Sequence, residues 1–123
     1  MNDQTLLLRQ VHPNFLPEDE LSSQAFYPFP KDHGRLSVYD GDQISVETSY
    51  RHYTVDLENS SAGVWGVNCG EVASAGLTSQ LDPIPNSPAH ACIDFGQRMD
   101  KECRKLAKKL KGFATVRGCL HKP

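Results

Sequence analysis

Four side chains are of types that move protons or hold anions, and each stands where its type needs a reason: Arg9, His12, His52 and His90. Arg9 interrupts the apolar run Leu6-Leu7-Leu8, where a charge is costly unless it is paired or lines a site. His12 follows at a bend fixed by Pro13, and the segments that leave a strand are where sites are usually built. His52 stands off the helical stripe Val46, Tyr50, Tyr53 and Leu57, so it flanks a core and reaches toward a cleft. His90 enters an apolar strand. If Ala91, Ile93 and Phe95 face the core, His90 shares the other face with Cys92 and Asp94. Histidine exchanges protons near neutral pH, so three histidines meeting in one pocket suit general acid–base work, and equally a metal. Nothing in the spacing forces them together. The plain alternative is an edge strand with Arg9 in water, a turn-capping His12 and ordinary polarity around His90.

The remaining chemistry-bearing residues form no strong signature. There is no phosphate-binding glycine loop, no nucleophile elbow and no His-Glu-x-x-His pair. Lys31-Asp32-His33-Gly34 reads as a surface turn. Cys69, Cys92, Cys103 and Cys119 make no Cys-x-x-Cys pair and read as free thiols. Cys119-Leu120-His121 is not a familiar zinc spacing, so neither a metal nor a cofactor is expected.

Over about residues 6–53, an arginine on the first strand (Arg9), a serine pair (Ser22-Ser23) and a helix bearing a glutamate (Glu47) together resemble the layout of ADP-ribosyltransferase and RES-type NAD-consuming folds. That resemblance implies an enzyme acting on a nucleotide, with those four residues in the corresponding roles.

Charge is divided along the chain. Residues 1–97 carry four basic side chains against thirteen acidic ones, a net of −9, and residues 98–123 carry nine against two, a net of +7. An acidic body is thus joined to a basic C-terminal segment, a pattern that points to an anionic partner or to internal docking. Lys101, Arg104, Lys105, Lys108, Lys109 and Lys111 fill one side of a predicted helix over 99–114. Like charges four apart there each cost a few tenths of a kcal/mol, which an acidic protein or a nucleic-acid backbone would offset. No aromatic side chain shares that face for stacking on bases. No apolar run is long enough for a bilayer, and Met1-Asn2-Asp3-Gln4-Thr5 lacks the basic start of a signal peptide. No membrane partner and a cytoplasmic location are therefore expected.

These residues must be positioned by a small number of elements. Strands are predicted over 6–11, 36–39, 64–69 and 89–95, with at most a short one at 24–27. Helices are predicted over 46–57 behind the N-cap Ser45, over 71–77 ending near Gly76, and over 99–114 with Asp100 as N-cap. Met99, Cys103, Leu106, Leu110 and Phe113 form the buried stripe of the last helix. The prolines at 83, 85 and 88 exclude a ladder between the third strand and the fourth. The expectation is one α+β domain over 1–123, a mixed or antiparallel sheet of about four strands with two main helices on one face. Two functions fit it: an accessory protein that binds an anionic partner through its basic helix, or a small enzyme with an arginine–histidine pocket for a nucleotide or phosphorylated substrate.

Overall fold

The computed structural model describes residues 1–123. It is an α+β fold built on one antiparallel sheet, with strands β1 (Leu6–Val11), β2 (Arg35–Asp40), β3 (Gly63–Asn68), β4 (Thr78–Leu81) and β5 (His90–Asp94) in the order β3-β1-β2-β5-β4. Five strands replace the four expected, because Thr78–Leu81 pairs with β5 as an edge strand. It was illegible because three of its four residues are exposed and only Leu81 is strongly apolar.

Alternation along each strand sends side chains to two different layers. Leu7, Val11, Val38, Trp65, Val67, Ile93 and Phe95 face the large core. That core is closed by Phe26 and by Cys103, Leu106, Ala107, Leu110 and Ala114 of the helix α3 (Asp100–Arg117). Leu8, Tyr39, Val64 and Ala89 point the other way, toward Val46 and Tyr50 of α1 (Val46–Arg51). The two main helices therefore take opposite faces rather than sharing one, because adjacent strand residues such as Leu7 and Leu8 are both buried and need separate cover.

Local sequence explains the element ends. Ser45 caps α1 by accepting from the Thr48 amide at 3.1 Å. That helix continues as one π-helical turn over His52–Asp56, a rare distortion often found at functional sites. The short α2 (Cys69–Ser74) opens on a reciprocal capping box between Asn68 and Glu71. The stretch 24–27 is not a strand: Ser23–Phe26 form a 3₁₀ turn, with Ser22 accepting from the Gln24 amide. At the Asp40-Gly41 turn the glycine is needed for closeness rather than for positive φ, since a Cβ there would lie 2.5 Å from the Leu6 carbonyl oxygen.

In α3 the stripe of Cys103, Leu106 and Leu110 is buried, but Met99 is 78 % exposed. Met99, not Asp100, is the N-cap residue, with extended backbone and no capping bond from its side chain. Asp100 lies inside the first turn, where it accepts from the Tyr27 hydroxyl and pairs with Arg104. Cys69, Cys92 and Cys103 are buried thiols and Cys119 is exposed. No helix is long and apolar enough to cross a membrane.

Candidate functional site

The sheet contains a fork. β1 and β2 are paired only at Leu7–Asp40 and Leu8–Tyr39. Beyond those pairs β1 stays with β3 as far as Val11, and β2 stays with β5 back to Arg35. The strands separate there, and a cleft of about 800 Å³ opens into the gap. That is the size of an ordinary small-molecule site.

Arg9 spans the fork. Its Nε donates to the Ala25 carbonyl at 2.7 Å and its Nη1 to the Ser37 carbonyl on β2 at 2.8 Å. None of the four ion pairs of the molecule involves it. Burial pulls the guanidinium below its ordinary value, while the Tyr53 phenol and the Asp32 carboxylate act in the opposite sense. The result is a half-buried cation, held by neutral carbonyls, on the wall of an open cleft.

His12 and His90 line the same cleft, and their partners fix opposite tautomers. His12 caps a 3₁₀ turn by accepting the Asn14 amide at Nδ1, 3.0 Å away, so the neutral ring carries its proton on Nε2. His90 faces the Asp82 carbonyl oxygen with Nδ1 at 2.8 Å and must donate there, which leaves a lone pair on Nε2. The Asp82 carboxylate stands 3.4 Å from the same Nδ1. Neither Nε2 has a protein partner. His52 is drawn into the site indirectly. Its Nδ1 meets the Tyr39 hydroxyl at 2.7 Å and its Nε2 donates to the Asn86 carbonyl at 2.8 Å. Tyr39 itself lines the cleft, and its phenol is pushed up to about 12, chiefly by burial.

The other walls come from segments that read as plain connections. Phe15 and Phe29 stack at 5.9 Å on one side, and Tyr53 of the π-helical turn contributes to the lining. Lys31 and Asp32 lie on the lining as well, so the turn 31–34 is more than surface. Sequence reasoning missed Tyr39, Tyr53, Phe15, Phe29 and Asp82. The available signal was the aromatic spacing around the prolines between residues 13 and 30, which only a tertiary fold makes into a wall.

Ser22, Ser23 and Glu47, placed by the resemblance to NAD-consuming folds, do not line the cleft. Glu47 is exposed in the first turn of α1. Of the four residues in that layout only Arg9 reaches the site. No three His, Cys, Asp or Glu side chains are grouped to hold a metal ion.

The basic residues of α3 form a separate surface. Lys101, Arg104, Lys105, Lys108 and Lys109 are exposed and Lys111 is half-buried, and none of them lines the cleft. Only Arg104 makes an ion pair, to Asp100 of its own helix at 3.4 Å. The contact between this helix and the acidic body is a different one, Arg117 to Glu71 at 2.8 Å. Comparison with protein-family models, with curated proteins and with solved structures finds no match.

Proposed function

We propose that the protein is a small enzyme acting on a nucleotide or another phosphorylated ring-bearing substrate, bound in the cleft of the sheet fork. The carrying observation is Arg9, a half-buried guanidinium that donates to two backbone carbonyls and makes no ion pair, on an accessible wall. A partly buried charge without an ion-pair partner is unfavourable, and an anionic ligand reduces that penalty. A planar fork of donors suits phosphate in particular. Phe15, Phe29 and Tyr53 offer apolar area for a base, and His12 and His90 supply a donor and an acceptor beside it.

Calorimetric titration with AMP, NAD and a ribodinucleotide tests this reading. At least one should bind, and Arg9→Met should weaken it tenfold or more while Lys108→Gln does not. Absence of binding by all three, or equal binding by Arg9→Met, refutes it.

A second reading rests on a separate observation, the unpaired lysines of α3. We infer that this face docks an anionic partner, an acidic protein or a nucleic-acid backbone. Exchanging Lys105, Lys108 and Lys109 for glutamine should then abolish salt-sensitive retention on polyanions, because such binding releases counterions. His12→Ala and His90→Ala should leave that retention unchanged.

A further inference from the structure

The sheet register sets two polar groups of the cleft, Tyr39 and His90, side by side, and Asp82 and His52 stand behind them outside its lining. Tyr39 on β2 is directly opposite His90 on β5, so the two side chains stand side by side on one face. Asp82, just beyond β4, is next to His90: its amide donates to the His90 carbonyl at 2.9 Å, and its own carbonyl accepts from Nδ1. His52 backs Tyr39 from the π-helical turn. There are thus two oriented pairs, Asp82–His90 and His52–Tyr39. One ends in an imidazole lone pair and the other in a hydroxyl.

Asn86, whose carbonyl holds His52, has a φ of +67°, and such strained non-glycine backbone is kept where the surroundings require it. The histidine–tyrosine pair is therefore held from both ends. His52, His90 and Asp82 all retain solvent exposure, whereas Tyr39 is buried in the smaller core.

A reaction needs both an acceptor and a donor of protons when its nucleophile must lose a proton and its leaving group must gain one. Pyrophosphate and nicotinamide depart without protonation, whereas an alkoxide does not. Resting on the reading of the cleft as a nucleotide site, we propose that its substrate is a ribonucleotide phosphodiester, with His90 as general base and Tyr39 as general acid.

The 2′-hydroxyl attacks the adjacent phosphorus. Its proton passes to Nε2 of His90 as the O2′–P bond forms. The P–O5′ bond breaks with its electron pair, and the departing oxygen takes the Tyr39 hydroxyl proton. Tyr39 regains a proton from solvent. The products are a 2′,3′-cyclic phosphate and a free 5′-hydroxyl, and His90 returns its proton to solvent. An internal nucleophile is favoured because a neighbouring hydroxyl is worth an effective concentration on the order of 10⁵–10⁸ M. Arg9 and the His12 Nε2–H are placed to hold the non-bridging oxygens, where charge grows. Asp82 and His52 are positioning residues.

The test compares uridylyl-3′,5′-adenosine, its 2′-deoxy analogue, and uridine 3′-(p-nitrophenyl phosphate), whose aryl leaving group needs no proton. The wild-type chain should cleave the first to the cyclic phosphate and leave the deoxy analogue intact. His90→Gln should lose about 100-fold or more on both ribo substrates. Tyr39→Phe should lose about as much on the dinucleotide, with the defect shrinking below about tenfold on the aryl ester. Asp82→Asn, which removes the carboxylate charge 3.4 Å from Nδ1 of His90 and keeps the backbone carbonyl, should lower kcat with little change in KM.

Cleavage of the deoxy analogue, a fully active His90→Gln, or a Tyr39→Phe defect equal on both esters would overturn the assignment. If the dinucleotide binds in an Arg9-dependent way but is not cut, this inference falls and the nucleotide-site reading stands. If none of the nucleotides binds, both fall.

Discussion

Met99 occupies the N-cap of α3 without capping it, and replacing it measures what that position is worth. Its backbone is already extended, at φ −67° and ψ 155°, as an N-cap requires. Serine at 99 would accept from the amides of the first turn, and Glu102 stands at the third helical position, where a capping box places its glutamate. Glu102 is now engaged by Arg98 at 2.9 Å, so the reciprocal half of the box competes with an exposed pair worth little. Met99 is 78 % exposed. About a fifth of its burial is at stake, on the order of 0.3–0.6 kcal/mol of the roughly 1.5–3 kcal/mol for a fully buried side chain. The cap contributes about 1 kcal/mol. Met99→Ala suffers only the loss, whereas Met99→Ser suffers the loss and gains the cap. The serine variant should therefore exceed the alanine variant by about 1 kcal/mol and wild type by about half as much. For a chain of this length 1 kcal/mol is roughly 4 °C in Tm. Urea titration with an unchanged slope, backed by thermal melts, gives the numbers. Serine and alanine variants equal within about 0.3 kcal/mol would show that residue 99 is not the cap.

The buried stripe of the same helix makes an opposite prediction. Leu110 is fully buried, so Leu110→Ala should cost about 2–5 kcal/mol by urea titration, with Leu106→Ala toward the lower end because Leu106 keeps 8 % exposure. Stability in alkali should report Tyr39. Its phenol is pushed up to about 12 in the folded chain, so its contribution is complete below the ordinary tyrosine value near 10 and is lost as pH rises from there toward 12. Tyr39→Phe should flatten the decline of stability over that interval, and an unchanged slope would place the phenol in water.

Much of the fold was legible because its signals are local. Ser45, Pro13 and the prolines at 83, 85 and 88 fix boundaries by their own backbone chemistry, and the boundaries of β1 lie where its apolar run ends. The Leu106–Leu110 stripe likewise identifies the buried side of α3. Layering was not legible in the same way. The pair Leu7-Leu8 is apolar in both directions, and one strand does not say which of two faces a distant helix will cover. Arg9, His12 and His90 stand out in the sequence because each contradicts its surroundings, and all three line the cleft. Tyr39 contradicts nothing in an apolar strand, so its hydroxyl, turned to His52, left no trace in the sequence. Glu47 shows the converse. A glutamate in the first turn of a helix is already accounted for by the helix dipole, and the resemblance to NAD-consuming folds adds no further role.

The fork has a mechanical meaning. Two pairs of residues, Leu7–Asp40 and Leu8–Tyr39, join a two-stranded half of the sheet to a three-stranded half, and past them the halves are bridged through the Arg9 side chain. A ligand seated there touches both halves at once and acts as the missing rungs of the ladder. Occupancy and cohesion are then one quantity, and a compound present at a hundred times its dissociation constant raises stability by about 2.7 kcal/mol. The melting temperature becomes a readout of the cleft for any compound library, with no reaction needing to be known beforehand.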